Sequence, residues 1–140
     1  MSSLPQVTTE IKVPFYDIDS MNVVWHGHYV KYLEIARCDL LDHVKYGYAA
    51  MRDSGYAWPV VKLSLRYTRP ARFGQILQIV ARMTEWELRL IIEYGIFDKE
   101  SGTPLSSATT MQMAVDMTAG EACVGSPPIL EEKLREAGYQ

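Results

Sequence analysis

The stretch Asp17-Ile-Asp19-Ser-Met-Asn22-Val-Val-Trp25-His26-Gly-His28-Tyr29 sets two carboxylates and two imidazoles close together, just ahead of a long amphipathic segment. A carboxylate with an ordinary pKa of roughly 3.9 is ionised at neutral pH and can serve as a base or a nucleophile. On a connection into a helix start it also stands beside backbone N–H groups that lack intrahelical partners, and such groups can hold a developing oxyanion. Asp17 and Asp19 are two apart, so an extended chain aims them the same way and a turn separates their roles. Either could equally cap the helix or close a turn. Asn22 falls where the chain passes from loop to helix, and asparagine tolerates the positive φ, or supplies the cap, that such a junction needs. His26 is expected in or near the first helical turn, offering its unpaired amide or its ring to a substrate or a water. A half-buried structural imidazole is the plain alternative.

Other combinations are weaker. Asp17, Asp19, His26 and His28 are all metal-ligand types, but side chains two apart on a helix diverge by about 200°, so no metal is expected. Neither Ser20 nor Cys38 sits in a recognisable nucleophile turn. Glu34 and Arg37 have the three-residue spacing of a local ion pair, with a buried catalytic acid as the other reading of Glu34. Arg66, Arg69, Arg72, Arg82 and Arg89 give the second half a positive character that suits phosphate, or simply an ordinary solvated sheet face. No glycine-rich phosphate loop occurs, which excludes a P-loop or a dinucleotide fingerprint.

Several elements must position these residues. Val7 to Phe15 alternates loosely and predicts a strand that runs into the acidic loop. From Val23 or Val24 to Tyr46 the period changes, with Tyr29, Leu33, Ala36, Leu40 and Val44 at three- and four-residue steps, so this is the one long helix. Gly47 is expected to end it, and Arg52 to Tyr56 to form a loop. Beyond Pro59 the period is two. Val61, Leu63, Leu65 and Tyr67 mark a half-buried strand that Pro70 ends or places at an edge. Leu77, Ile79, Ala81 and Met83 follow after the Phe73-Gly-Gln turn, and Leu88, Leu90, Ile92, Tyr94 and Ile96 form a third run. Asp98 to Gly102 is a hairpin connection, and Met111, Met113, Val115 and Met117 mark a fourth strand. Ser126-Pro-Pro opens a short C-terminal helix. The order is strand, long helix, then four strands in a meander. The class is α+β, with one helix covering one face of an antiparallel sheet and an uncovered face or edge that invites a second copy.

At 140 residues the chain fits one domain that buries roughly 70% of its unfolded surface, with no disulfide or metal staple needed. Cys38 and Cys123 lack metal-ligand spacing, and the first residues resemble no secretory leader, so a reducing cytoplasm is the expected location. No apolar run approaches the ~18 residues of a membrane span. A net charge of −3 gives no general attraction to nucleic acid.

With these residues in view, Tyr16-Asp-Ile-Asp19-Ser-Met-Asn22-Val-Val-Trp25-His26-Gly-His-Tyr29-Val-Lys-Tyr32-Leu-Glu34-Ile-Ala-Arg37 resembles the 4-hydroxybenzoyl-CoA thioesterase-like acyl-CoA thioesterases of the hot-dog fold. Leu65-Arg-Tyr-Thr-Arg-Pro70-Ala-Arg72-Phe-Gly, Ile76 to Thr84 and Met111-Gln-Met-Ala-Val-Asp116 are similar to the later strands of that family, in the same order. The resemblance implies a long central helix wrapped by a curved antiparallel sheet of about five strands. It implies Asp19 as the catalytic carboxylate and His26 as its partner, the His26 amide polarising the thioester carbonyl, while Asp17 and His28 keep structural roles. It further implies homodimers or dimers of dimers (tetramers), sites at the subunit interface, no metal, and no cofactor beyond the coenzyme A carried by the substrate. Trp25 and Tyr29 are candidate acyl-pocket walls, with core packing as the equal alternative. Arg69, Arg72 and Arg89 are candidates for the nucleotide phosphates. The chain departs from the family at Asn22, where a glycine is usual, and at Glu85-Trp86-Glu87-Leu88-Arg89, where one branch carries a stronger basic cluster. The activity implied is hydrolysis of a short, medium or aromatic acyl-CoA, Asp19 attacking the carbonyl or activating water. The rivals are a hot-dog hydratase or dehydratase acting on an acyl thioester and a non-catalytic acyl-thioester binder.

Overall fold

A computed structural model describes residues 3–139. The spacing of Tyr29, Leu33, Ala36, Leu40 and Val44 turns one stripe of the long helix inward, and all five are buried. That helix, α1 (His28–His43), begins later than the apolar period predicts. Val23 and Val24 are extended instead: the Val24 N–H donates to the Ala71 carbonyl at 2.8 Å, and Val23 bridges to Arg72. Two β-branched residues in succession suit that extended pairing better than a helical first turn.

The end of α1 also differs from expectation. Lys45, at φ 60°, takes the left-handed position that usually goes to glycine. The Tyr46 N–H then reaches back to the Leu41 carbonyl, at 2.9 Å, and the Lys45 N–H to the Asp42 carbonyl, at 3.0 Å. Gly47 does not stop α1; it precedes a second helix, α2 (Tyr48–Ser54), which occupies most of the expected loop and ends at Gly55 with φ 87°. Seven residues are too few to display a helical period, so its Ala-Ala-Met centre left no pattern to read.

The strands are β1 (Gln6–Lys12), β2 (Tyr56–Ala57), β3 (Val60–Tyr67), β4 (Ile76–Glu85), β5 (Leu90–Asp98), β6 (Pro104–Gln112), β7 (Val115–Asp116) and β8 (Glu121–Ala122), followed by helix α3 (Pro128–Glu136). Five of them form one antiparallel sheet in the order β1-β4-β5-β6-β3, and β2, β7 and β8 form a small second sheet. Only β4, β5 and β6 run as a meander; β3 lies on the far edge beside β6, and β1 takes the place beside β4. The fold is the α+β hot-dog arrangement, with α1 packed on the β1 and β4 side of the sheet.

Leu77, Ile79, Ala81 and Met83 of β4 and Leu90, Ile92, Tyr94 and Ile96 of β5 point inward, as their alternation requires. Leu88 does not; it stands in the exposed β4–β5 turn. The strand expected from Met111 to Met117 is displaced: β6 runs from Pro104 and breaks after Gln112. Its buried face is Leu105, Ser106, Ala108, Thr110 and Gln112, polar enough to hide the period. These groups are accommodated by hydrogen bonds, Thr110 Oγ1 with the Tyr94 hydroxyl at 2.8 Å and Gln112 Nε2 donating to the Trp58 carbonyl at 2.8 Å. Helix α3, opened by Pro128 as expected, seals its end of the core with Leu130 and Leu134.

β3 is exposed along nearly its whole length, with Val61, Leu63 and Tyr67 all open to solvent. β6 pairs with one edge of it, and the other edge has no strand beside it among the described residues. No helix of the described residues is long and apolar enough to cross a membrane.

Candidate active site

The loop from Asp17 to Gly27 is anchored at both ends before α1 begins. The Trp25 N–H donates to the Asp17 carbonyl at 3.0 Å, and Ile18 bridges to Val24, which closes the residues between them into a tight antiparallel turn. Within it the Asp19 N–H donates to the Val23 carbonyl at 2.9 Å and the Asn22 N–H to the Asp19 carbonyl at 3.0 Å. Asn22 has φ 63°. The turn therefore needs the left-handed residue that asparagine tolerates, and the departure from glycine leaves its geometry intact.

This turn separates the two acids. Asp17 is only 1% exposed and serves as a buried anchor. Lys31 Nζ donates to both of its oxygens, at 2.8 and 3.0 Å, and the Tyr32 hydroxyl donates to Oδ2 at 2.6 Å. His28 Nε2 lies 3.7 Å from Oδ1. Burial acts to raise the Asp17 pKa, but the bonds from Lys31 and Tyr32 outweigh it and hold the carboxyl below its usual range. Burial first and the Asp17 carboxylate second push the Tyr32 hydroxyl far up, so it remains a donor. Asp17 thus ties the loop to the first turns of α1.

Asp19 is half-buried and differently placed. Its Oδ1 accepts the Met21 N–H at 2.8 Å, which orients the carboxylate across the turn. Oδ2 has no hydrogen-bond partner among the described residues. A carboxylate fixed by one oxygen and free at the other is suited to attack or to hold a water.

His26 precedes the first turn of α1, and its imidazole is exposed. The His26 and Gly27 N–H groups have no partner among the described residues, leaving two amides at the head of α1. The sequence gives little sign of what fixes them. The Tyr67 hydroxyl, from the end of β3, donates to the His26 carbonyl at 2.9 Å, and its ring stands edge-on to both His26 and Tyr29. Tyr67 was legible only as one more residue of an alternating strand. Trp25 is half exposed, and its ring lies over Gly27, where an added Cβ would fall 2.2 Å from a ring carbon. A glycine is needed there to admit the indole, and φ −68° is ordinary helical backbone. Tyr29 is buried, and its hydroxyl accepts the Ala71 N–H at 3.3 Å. It fastens the β3–β4 connection to α1 as well as lining the site.

Val24, His26, Tyr29, Tyr67, Arg69 and Pro70 surround a cleft of about 260 Å³, and Asp19 stands on the adjoining turn outside that lining. Arg69 and Arg72 lie on the same connection, both exposed and without a carboxylate partner among the described residues. Arg89 is elsewhere. It sits in the turn at the far end of β4, where its Nε donates to Glu85 at 2.9 Å, so one chain does not bring it to His26. Glu34 is paired as its spacing predicts, accepting from Arg37 and from the Tyr48 hydroxyl. Among the described residues no three His, Cys, Asp or Glu side chains converge as metal ligands.

Residues 13–136 match the family described as the thioesterase-like superfamily. A relative from Synechocystis is 34% identical over 125 residues, 89% of this chain and 75% of that one. An acyl-CoA thioester hydrolase of Escherichia coli is 30% identical over 107 residues, 76% of this chain and 79% of its own. A long-chain acyl-CoA thioesterase of the same species is 27% identical over 129 residues, covering 91% and 93%. Among solved structures, the DHNA-CoA thioesterase of Staphylococcus aureus superposes with a TM-score of 0.82 at 23% identity, over 94% of this chain and 89% of that one. The 1,4-dihydroxy-2-naphthoyl-CoA thioesterase of Synechocystis gives 0.84 at 20% identity, over 96% and 99%. At those identities the two structures speak for the fold.

Proposed function

The chain belongs to the thioesterase-like superfamily, and from that premise we propose that it hydrolyses an acyl-CoA to the free acid and coenzyme A, with Asp19 as the reacting carboxylate. The observation that carries this reading is the loop ahead of α1, which combines a carboxylate free at one oxygen with two unpartnered amides. A thiolate whose conjugate acid has a pKa of roughly 8.5 departs without strong acid assistance. The site therefore needs a nucleophile or base and a place for the oxyanion, and little else.

Two routes satisfy the balance. In one, Asp19 Oδ2 attacks the thioester carbonyl, the C–S bond breaks as coenzyme A leaves, and water then hydrolyses the mixed anhydride. In the other, Asp19 takes a proton from a water that attacks directly, and the thiolate leaves. In both, the His26 and Gly27 amides receive the carbonyl oxygen, the aim of the Gly27 amide set by Tyr67 through the His26 carbonyl of the same peptide plane. The His26 ring, exposed over the cleft, positions the substrate or the water. Arg69 and Arg72, with no carboxylate to satisfy, are available to the nucleotide phosphates.

The assembly reading follows from β3. Its open edge and solvent-facing Val61 and Leu63 suit antiparallel pairing with the same strand of a second copy, which would join two five-stranded sheets into one. Such pairing would carry the Arg89 turn of one subunit towards the head of the other subunit's α1. The two cysteines are free, consistent with a reducing cytoplasm.

The test is release of free thiol from a panel of acyl-CoAs by the wild type and by Asp19→Asn. Loss of about 10²–10⁴-fold in turnover is expected. Comparable turnover by a folded Asp19→Asn protein would remove Asp19 from the chemistry. Light scattering on the same samples separates monomer, dimer and tetramer.

A further inference from the structure

At the corner where β1 ends and β4 begins, four large apolar side chains stand in solvent. Phe15, Tyr16, Met21 and Phe73 are between 58% and 79% exposed. They belong to two segments that the fold ties together. The Phe15 and Phe73 rings meet edge-on with centroids 5.8 Å apart, Val23 bridges to Arg72, and the Gly74 N–H donates to the Val13 carbonyl at 3.0 Å. Val13 and Ala71 of the same segments are completely buried, so the exposed rings are not surplus from an unfilled core. An aromatic side chain carries about 150–250 Å², and the two phenylalanines alone therefore show water roughly 250 Å² of hydrocarbon. Each apolar residue sits on a turn: Phe15 and Tyr16 in the single 3₁₀ turn Phe15–Asp17, Met21 in the turn that Asp19 closes, and Phe73 ahead of Gly74 at φ 81°. Side chains carried on turns suit a deformable apolar surface better than a rigid complementary one.

Pairing of β3 leaves this corner open. In the order β1-β4-β5-β6-β3 the outer strand β1 is four interstrand steps, about 19 Å, from the edge that would take a second copy.

The charge around the corner has a sign. Lys12, Arg69 and Arg72 are exposed, with no carboxylate partner among the described residues. Lys31 stands over the Tyr16 ring at 5.8 Å, half its capacity spent on Asp17. Most of the bordering carboxylates are engaged. Asp17 is buried under Lys31, Asp98 accepts from Gln75 and Ser101, and Glu10 pairs with Lys99, which leaves Asp19 and Glu100. Free cations outnumber free carboxylates, on a chain whose net charge is −3.

We propose that this corner docks on an anionic bilayer, with Phe15, Tyr16, Met21 and Phe73 entering the headgroup region while Lys12, Arg69 and Arg72 meet lipid phosphates. Aromatic rings and basic side chains are the residues that rest at that boundary. Asp19, two residues before Met21, then faces the membrane surface. The proposal goes beyond the thioesterase reading and does not need it.

The experiment is co-sedimentation with vesicles of phosphatidylglycerol and phosphatidylethanolamine, against vesicles of phosphatidylcholine alone. Wild type is expected to sediment with the anionic vesicles and far less with the neutral ones. Phe15→Ser with Phe73→Ser should lower the partition coefficient about tenfold or more. Lys12→Glu should lower it at least fivefold, and raised salt should weaken wild-type binding. Melting curves show whether each variant is folded. Met21→Ser, which keeps the backbone N–H that Asp19 accepts, gives the same direction of change should the double variant not fold. Wild type that stays in the supernatant with anionic vesicles, or folded variants that sediment as wild type does, overturns the proposal. Equal binding to neutral and anionic vesicles overturns the role of the cations. A smaller oligomer of the double variant by light scattering, without vesicles, assigns the corner to a second copy and overturns bilayer docking.

Discussion

Replacing Asp17 by asparagine separates the structural acid of the loop from Asp19, the acid proposed to react. The wild-type carboxylate takes the Tyr32 hydroxyl at 2.6 Å and Lys31 at 2.8 Å while 1% exposed. A hydrogen bond to a buried charged acceptor contributes about 1.5–3 kcal/mol, and asparagine keeps an acceptor, so roughly 1 kcal/mol of that is lost. Lys31 is 45% exposed and can return to water, so its share is discounted to at most about 1 kcal/mol. The sum is about 2 kcal/mol, which for a chain of this length lowers the melting midpoint by about 6–8 °C. The pH dependence has a definite sign. The folded-state pKa is depressed, so this stability is present above the unfolded value of roughly 3.9 and is lost as pH falls through the folded value. Urea or thermal unfolding of both proteins, at one protein concentration, should show a gap at pH 7 that closes in strong acid. Thiol release measured well below the midpoint should persist. An Asp17→Asn protein as stable as wild type but without activity would refute the division of labour drawn here, and so would a stability gap indifferent to pH.

Further expectations concern that loop and the strand end and connection packed beside it. Tyr67→Phe removes the donor to the His26 carbonyl and should cost about 1 kcal/mol of stability together with a several-fold fall in kcat at little change in KM; steady-state kinetics and a melting curve check both. Gly27→Ala places a methyl where the Trp25 ring lies, so near-ultraviolet circular dichroism should report a displaced indole and kcat should fall, although φ is compatible with alanine. Arg69→Ala with Arg72→Ala should raise KM for acyl-CoA, increasingly so at low salt, and leave an acyl-pantetheine thioester without the nucleotide almost unaffected. Equal effects on both substrates would take these arginines away from the phosphates.

Legibility in the sequence followed the strength of local patterns. The five-residue stripe of α1 was readable because a period sustained over four turns has one interpretation, and each of its residues is buried. Asn22 was readable because few residue types tolerate its φ. The expected difference between Asp17 and Asp19 came from resemblance rather than spacing, since two acids at i and i+2 look equivalent until a turn divides them. Four things stayed hidden. Helix α2 is too short for a period, β6 presents Ser106, Thr110 and Gln112 to the core, and the position of β3 beyond β6 depends on long-range pairing that no local pattern encodes. Tyr67 was hidden for the same reason, because its partner lies 41 residues away in the chain.

The bond from Tyr67 to the His26 carbonyl joins the last residue of the unpaired edge strand to the amides at the head of α1. Whatever steadies that strand therefore steadies the place proposed to receive the carbonyl oxygen. If β3 pairs with a second copy as proposed, a subunit set free by dilution would keep Asp19 and His26 but hold them under a fraying support, so activity per chain should fall as the protein is diluted. Catalytic competence in this molecule would then be a property of concentration as much as of sequence.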